Sequence, residues 1–253
     1  SEEDYATQNR MIDEAVAAGA DAIVFSAIDR YATKKHLEDA VRKGVKLILI
    51  DSGADTEMAE SFIGTDSYAA GKMVCEAVLD GMGTEKPLKV GLVNYDENTE
   101  NGSSREEGFR DRAADQFASC ACRALLYEVS VTPKPGLVDR HNAGSHTDMD
   151  FFSFLDSTSA LTPWLREMFR TGWNHAHKEA AEMFSALRLI GLQAEDAMLR
   201  ATNGVNTHKG IIFSLCVFGG AYGKVSALSF PVQPALSDIL SVCRTLGGCA
   251  LSE

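Results

Sequence analysis

Residues 132–150 carry Lys134, Asp139, Arg140, Asn142, His146, Asp148 and Asp150 on a stretch that Pro133, Pro135, Gly136 and Gly144 keep out of a helix. Guanidinium and ammonium groups suited to phosphate stand there beside carboxylates suited to a hard metal ion. Asp148 and Asp150 precede the apolar pair Phe151 and Phe152, so they are placed either to ligate Mg²⁺ or to cap the following helix. A second polar cluster, residues 203–210, holds Asn203, Gly204, Asn206, Thr207, His208 and Lys209 just before the apolar run Ile211–Leu215. Backbone N–H groups at a helix start, with Gly204 and Lys209 beside them, would make a phosphate site. The order and spacing of Gly and Lys exclude a Walker A loop, and a plain turn capped by Asn206 or Thr207 is the alternative. In the first half of the chain, Asp29, Asp51, Asn94 and Arg105 each follow an expected strand. A carboxylate and a guanidinium at such an edge can hydrogen-bond a polyol, and strand-end Asp can equally cap the next helix.

The elements that hold these residues differ between the two halves. Up to residue 112, helical spacing over Glu2–Ala18, Thr33–Lys43 and Ser67–Leu79 alternates with the apolar runs Ala22–Phe25, Lys46–Ile50 and Lys89–Val93, read as buried strands. That alternation predicts parallel βαβ units wound right-handedly, with ligands taken beyond the carboxyl ends of the strands. From residue 113 onward it ceases. Helices are expected at Ala113–Val129, Phe151–Phe169, His175–Leu187, Gln193–Ala201, His208–Ala221 and Gln233–Leu246, without a convincing strand pair. The fold expected is an α/β parallel-sheet fragment over 1–112 followed by an all-α helical array over 113–253.

The charge changes at the same place. Residues 1–112 hold 13 Lys/Arg against 23 Asp/Glu, and residues 113–253 hold 11 against 13. An acidic surface repels phosphodiester backbones, so nucleic acid is not an expected partner. The six cysteines show no CxxC pair or zinc spacing and read as reduced, mostly buried thiols of a cytosolic protein. The longest apolar runs, such as Ile211–Ala221, are shorter than the ~20 residues a bilayer requires, so no membrane span is expected. The chain starts at Ser1 with acidic, helical residues and reads as truncated, without a signal peptide.

Two resemblances sharpen these readings. Residues 19–23, 46–52, 63–71 and 104–109 (among them Asp51, Gly64, Asp66, Gly71 and Arg105) are similar to the sugar-binding periplasmic proteins of ABC transporters and their repressor relatives. That likeness implies two lobes with a sugar between them, and Asp51 and Arg105 as the positions that touch it. Residues 127–140 (Tyr127 to Arg140), 144–151 (Gly144 to Phe151) and 206–210 (Asn206 to Gly210) resemble the triphosphoribosyl-dephospho-CoA synthase family, associated with citrate lyase and malonate decarboxylase. Asn203 stands where that family usually has Gly, and Cys216 where Gly is common. The resemblance implies that ATP donates its triphosphoribosyl unit to the ribose 2′-hydroxyl of 3′-dephospho-CoA, releasing adenine. It further implies phosphate contacts from Lys134, Arg140 and Lys209 with Asn206 and Thr207 at the same site, and Mg²⁺ on Asp148 and Asp150. Asp139 or Glu128 would serve as base, and His146 or His208 would orient a phosphate or assist the leaving adenine. His141, His175 and His177 read as ordinary core or surface residues, and Phe152, Phe154, Trp164 and Phe169 as core. The alternatives are a sugar-binding module and a non-functional fusion of two fragments. ATP and dephospho-CoA imply the cytoplasm, and the first segment by itself the periplasm.

Overall fold

The computed structural model describes residues 4–82, 98–229 and 235–251. Their contacts fall into two compact units that divide between Arg110 and Asp111. In the first, α1 (Tyr5–Ala17), β1 (Ala22–Phe25), α2 (Lys34–Arg42), β2 (Lys46–Ile50), β3 (Ser61–Ile63) and α3 (Ser67–Met82) follow one another. Asp4 caps α1 by accepting from the Ala6 N–H at 2.9 Å. The three strands are parallel in the order β1-β2-β3, with Phe25 opposite Leu49 and Leu49 opposite Phe62. Ile12 of α1 and Leu37 and Ala40 of α2 close one face of the sheet over Phe25, Leu47 and Leu49.

The other face departs from the sequence reading. Continuous apolar strands imply burial on both sides, yet among the described residues Val24 is 60% exposed and Ile63 66%. A run without alternation carries no information on how many helical layers cover it, and here α1 and α2 cover one side. β3 is a second departure: at three residues it is too short to show a period, and only its pairing with β2 makes it a strand. The expected strand Lys89–Val93, and Asn94 after it, lie outside the described residues.

Helix α4 (Glu100–Ser130) is a single 31-residue helix. The change of charge and periodicity near residue 113 therefore falls inside a helix, because no Gly or Pro between Phe109 and Ser130 interrupts good helix formers.

In the second unit α5 (Phe151–Asn174), α6 (Ala180–Ala201), α7 (Lys209–Ser229) and α8 (Leu236–Leu251) pack with the later part of α4. Phe117, Leu125, Leu161, Leu165, Met168, Phe169 and Met198 form one buried cluster; Met183, Leu187, Val225, Ile239 and Leu246 form another. α5 lies directly on α7: a Cβ added to Gly172 would overlap the carbonyl of Gly220, and one on Gly223 the carbonyl of Phe169. The two helices expected at His175–Leu187 and Gln193–Ala201 are one helix, α6. Gly191, between the two expected stretches, sits in its interior against Cys216 of α7, where an added Cβ would meet Sγ at 3.1 Å. Its helix cost of ~1 kcal/mol is offset by that close packing.

By length and composition α7 could cross a bilayer, since residues 209–228 have a mean hydropathy of 1.6. Judging by uninterrupted apolar runs overlooks this, because Lys224 and several glycines break the run and not the average. In the structure α7 contacts α5, α6 and α8, and Lys224 Nζ donates to the Lys178 carbonyl at 2.8 Å.

Candidate functional site

Asp139 organises the loop between α4 and α5. Its Oδ2 accepts from Thr132 Oγ1 at 2.9 Å and from the Lys134 N–H at 3.2 Å. Its Oδ1 accepts from the His141 N–H at 2.8 Å, the Asn142 N–H at 3.0 Å and Asn142 Nδ2 at 3.2 Å. The residue is buried, and the His141 N–H leads the donors that outweigh desolvation and hold the carboxyl at about 2. Gly144 completes the loop: its φ is +61°, and a Cβ there would lie 2.5 Å from the Leu137 carbonyl oxygen. Lys134 Nζ is turned back onto the end of α4, donating to Glu128 Oε1 at 2.6 Å and to the Glu128 carbonyl at 3.1 Å. Arg140 is exposed and makes no side-chain hydrogen bond or ion pair among the described residues. Half-buried His146 and exposed Asp148 are neighbours, Nδ1 to Oδ1 at 3.9 Å. Asp150 is the N-cap of α5, its Oδ1 accepting from the Ser153 N–H and Ser153 Oγ, both at 2.9 Å, in a capping box.

The second cluster forms the turn from α6 to α7. Asn203 has φ +54°, a left-handed conformation that Asn enters more readily than most side chains. A residue that replaces Gly there therefore keeps the backbone geometry. Asn206 Oδ1 accepts from the Lys209 N–H at 3.1 Å and caps α7. Lys209 Nζ reaches Glu195 Oε1 at 2.7 Å. His208 is 6% exposed, with Nδ1 2.6 Å from Ser157 Oγ on α5 and its ring edge-on to Phe154, centroids 4.9 Å apart. Burial pushes its pKa down to about 4 against the opposing charge of Glu128.

These bonds bring the two clusters to one end of the bundle. The loop joins the end of α4 to the start of α5, the turn joins the end of α6 to the start of α7, and Ser157 with His208 ties turn to helix. Ser157 was not singled out from the sequence, although Asp150, Phe154 and Ser157 fall at i, i+4 and i+7, the spacing of one helix face. Of the aromatic residues expected in the core, Phe169 is buried and Phe152 is 68% exposed. Phe152 stands in the first turn of α5, where apolar residues recur too briefly to tell the inner face from the outer. An open groove of about 770 Å³ between α4 and α5 is lined by Cys122, Arg123, Leu126, Pro163 and Trp164, and none of the candidate residues faces it.

In the first unit Asp51 ends β2 with φ +57°, its N–H bonded to the Ile63 carbonyl at 2.9 Å and its Oδ1 3.4 Å from Asn101 Nδ2. Arg105 lies exposed on α4. Asp29 turns the loop ahead of α2, accepting from the N–H groups of Tyr31 and Ala32 at 2.8 Å each, while the N-cap of α2 is Thr33. Among the described residues no three His, Cys, Asp or Glu side chains gather as a metal site.

What the fold and site define is a helical domain with cations and a helix start gathered at one end of its bundle, preceded in the chain by a parallel α/β unit. The chain belongs to the ATP:dephospho-CoA triphosphoribosyl transferase family through residues 114–246 and to the periplasmic binding protein domain family through residues 1–134, each match covering more than half of it. The two matches overlap on α4. A probable 2-(5''-triphosphoribosyl)-3'-dephosphocoenzyme-A synthase of Streptococcus mutans is 49% identical over 132 residues, 50% of this chain and 45% of that protein. A Streptococcus pyogenes counterpart is 44% identical over 133 residues, 51% of this chain and 45% of that protein. The chain thus spans about half the length of the curated relatives it matches. Among solved structures, a sugar transporter from Clostridium phytofermentans is 27% identical with a TM-score of 0.42, covering 51% of each chain. The Caulobacter myo-inositol binding protein, bound to myo-inositol, is 19% identical with a TM-score of 0.42, covering 54% of this chain and 51% of its own.

Proposed function

We propose that the helical unit handles ATP and 3'-dephospho-CoA as its family does, moving the triphosphoribosyl unit to the 2′-hydroxyl with release of adenine. The observation that carries this reading is that the Lys134–Arg140 loop, which leads into α5, and the Lys209 turn, which leads into α7 and is tied to α5 through Ser157 and His208, lie at the same end of the bundle within the matched segment. The reaction is substitution at an anomeric carbon, whose transition state gains positive charge on the sugar and requires a base for the incoming hydroxyl. Asp139, with five donors and a carboxyl held at about 2, is a poor base. Glu128, half exposed beside Lys134, is the better candidate. Arg140 is the cation most available to a polyphosphate, while Lys134 and Lys209 exchange their carboxylate partners for it. His146 and His208 remain the candidates for contact with phosphate or adenine, with Asn206 and Thr207 shaping the turn below them.

Mg²⁺ fits these residues poorly as a resident ion. Asp150 Oδ1 is engaged in the helix cap and Asp148 has only His146 beside it among the described residues, so the metal would enter on the phosphates of ATP, with Asp148 as a protein carboxylate. No step is assigned to it. Handling ATP would place the chain in the cytoplasm.

The test is incubation with ATP, Mg²⁺ and 3'-dephospho-CoA, reading free adenine by chromatography. Its absence overturns the activity for this chain and favours the fusion alternative. Lys209→Ala is expected to raise the KM for ATP about tenfold with little change in kcat, because Lys209 is exposed and aids binding more than chemistry. An unchanged KM would remove Lys209 from the phosphate site. A sugar site in the first unit is the second reading, favoured by Asp51 at the carboxyl end of β2. Calorimetry against pentoses and hexoses should then give heat that Asp51→Ala abolishes, and no wild-type heat would exclude it.

A further inference from the structure

We propose that Ser157 is a positioning residue that fixes His208 as a neutral imidazole protonated at Nε2, so that His208 meets a bound polyphosphate as a hydrogen-bond donor. The ligand half of this proposal rests on the reading above; the tautomer half does not.

Ser157 is fully buried on α5, two turns beyond the Asp150 cap. Thr207 Oγ1 donates to Ser157 Oγ at 2.8 Å, occupying the serine as an acceptor, and lies 3.3 Å from His208 Nδ1. The Ser157 hydroxyl proton then points to Nδ1, 2.6 Å away. A buried hydroxyl needs an acceptor, and with Thr207 Oγ1 donating to Ser157 the acceptor left within reach is Nδ1. An imidazole that accepts at Nδ1 carries its proton on Nε2.

The surroundings keep the ring in that form. The His208 backbone N–H donates to Met198 Sδ at 3.2 Å, and Phe154 packs edge-on to the imidazole. Glu128 at the end of α4 is the charge that favours protonation, and burial outweighs it. On the α6 side Glu195 is held by Lys209. Nε2 has no protein hydrogen bond among the described residues, so its N–H is the free end of the relay Thr207–Ser157–His208. A neutral donor can hold a phosphate oxygen without changing charge across the pH range where histidine ordinarily titrates. Whatever base the reaction uses must then be another group, in keeping with Glu128.

The experiment is nitrogen NMR of the imidazole-labelled chain, with His208→Gln assigning the signal. In the wild type Nδ1 should read as unprotonated and Nε2 as protonated from pH about 8 to about 5. Ser157→Ala should mix the two tautomers, and Ser157→Thr, which keeps the hydroxyl, should restore the wild-type pattern. The opposite wild-type tautomer, or an alanine variant with unchanged nitrogen shifts, overturns the proposal. If the alanine variant does not fold, the wild-type tautomer and its constancy with pH still decide. Inorganic tripolyphosphate should move the Nε2 signal, and no movement overturns the ligand half. These readouts need no turnover, so a chain that releases no adenine but shows the fixed tautomer refutes the activity and not the relay.

Discussion

Asp139→Ala is expected to lower adenine release about a hundredfold, the scale of loss when positioned groups shift by about an ångström. Five donors converge on this carboxylate: Thr132 Oγ1, the N–H groups of Lys134, His141 and Asn142, and Asn142 Nδ2. Removing it leaves buried donors without an acceptor and releases Lys134 and Arg140 from their common frame. Asp139→Asn keeps the shape but offers one acceptor oxygen, and should fall between alanine and wild type. The pH response carries a sign that checks the cause. The folded carboxyl is held at about 2, below its ordinary 3.8, so its contribution to stability is complete above 3.8 and is lost as pH falls through about 2. Acid titration of the helical signal should therefore lose part of its slope between those values in Asp139→Asn. Wild-type turnover in Asp139→Ala would show that the loop does not position the reacting groups.

Gly172→Val should cost the helical unit about 3 kcal/mol or more, the upper range for overpacking. The reason is backbone against backbone: an added Cβ would overlap the Gly220 carbonyl of α7, which no rotamer change can relieve. Because α5 carries Asp150, Phe154 and Ser157 and α7 begins at Lys209, separating the two helices also separates the two polar clusters. Urea denaturation followed by circular dichroism gives the cost. Gly248→Ala on α8 is the control, since a Cβ there meets nothing within 4 Å; it should stabilise by about 0.5–1 kcal/mol. Equal stabilities for Gly172→Val and wild type would mean that α5 and α7 do not touch at these glycines.

Helix positions were legible wherever an apolar period persists over several turns, as in α1, α2, α3 and α5, because that period is a local property of the chain. The merging of α6 across Gly191 was not, since the compensation comes from Cys216 on another helix. Nor was β3, which three residues cannot announce. Both polar clusters stood out as unusual mixtures of cations, carboxylates and glycines, and their order along the chain carried the family. The division of labour within them was not visible. Asp139 as loop organiser, Asp150 as helix cap and His208 as a buried ring are distinguished only by which donors surround each.

By itself, then, the sequence determined the change from α/β to helical periodicity and the residue types available for phosphate and carboxylate chemistry. The tertiary structure decided that the change falls within one helix, that loop and turn share one end of a bundle, and that Ser157 faces His208 across 51 residues. The physical reason is range. Periodicity and capping act over a few residues, whereas burial and hydrogen bonding between helices join positions whose separation along the chain has no bearing on their distance in space.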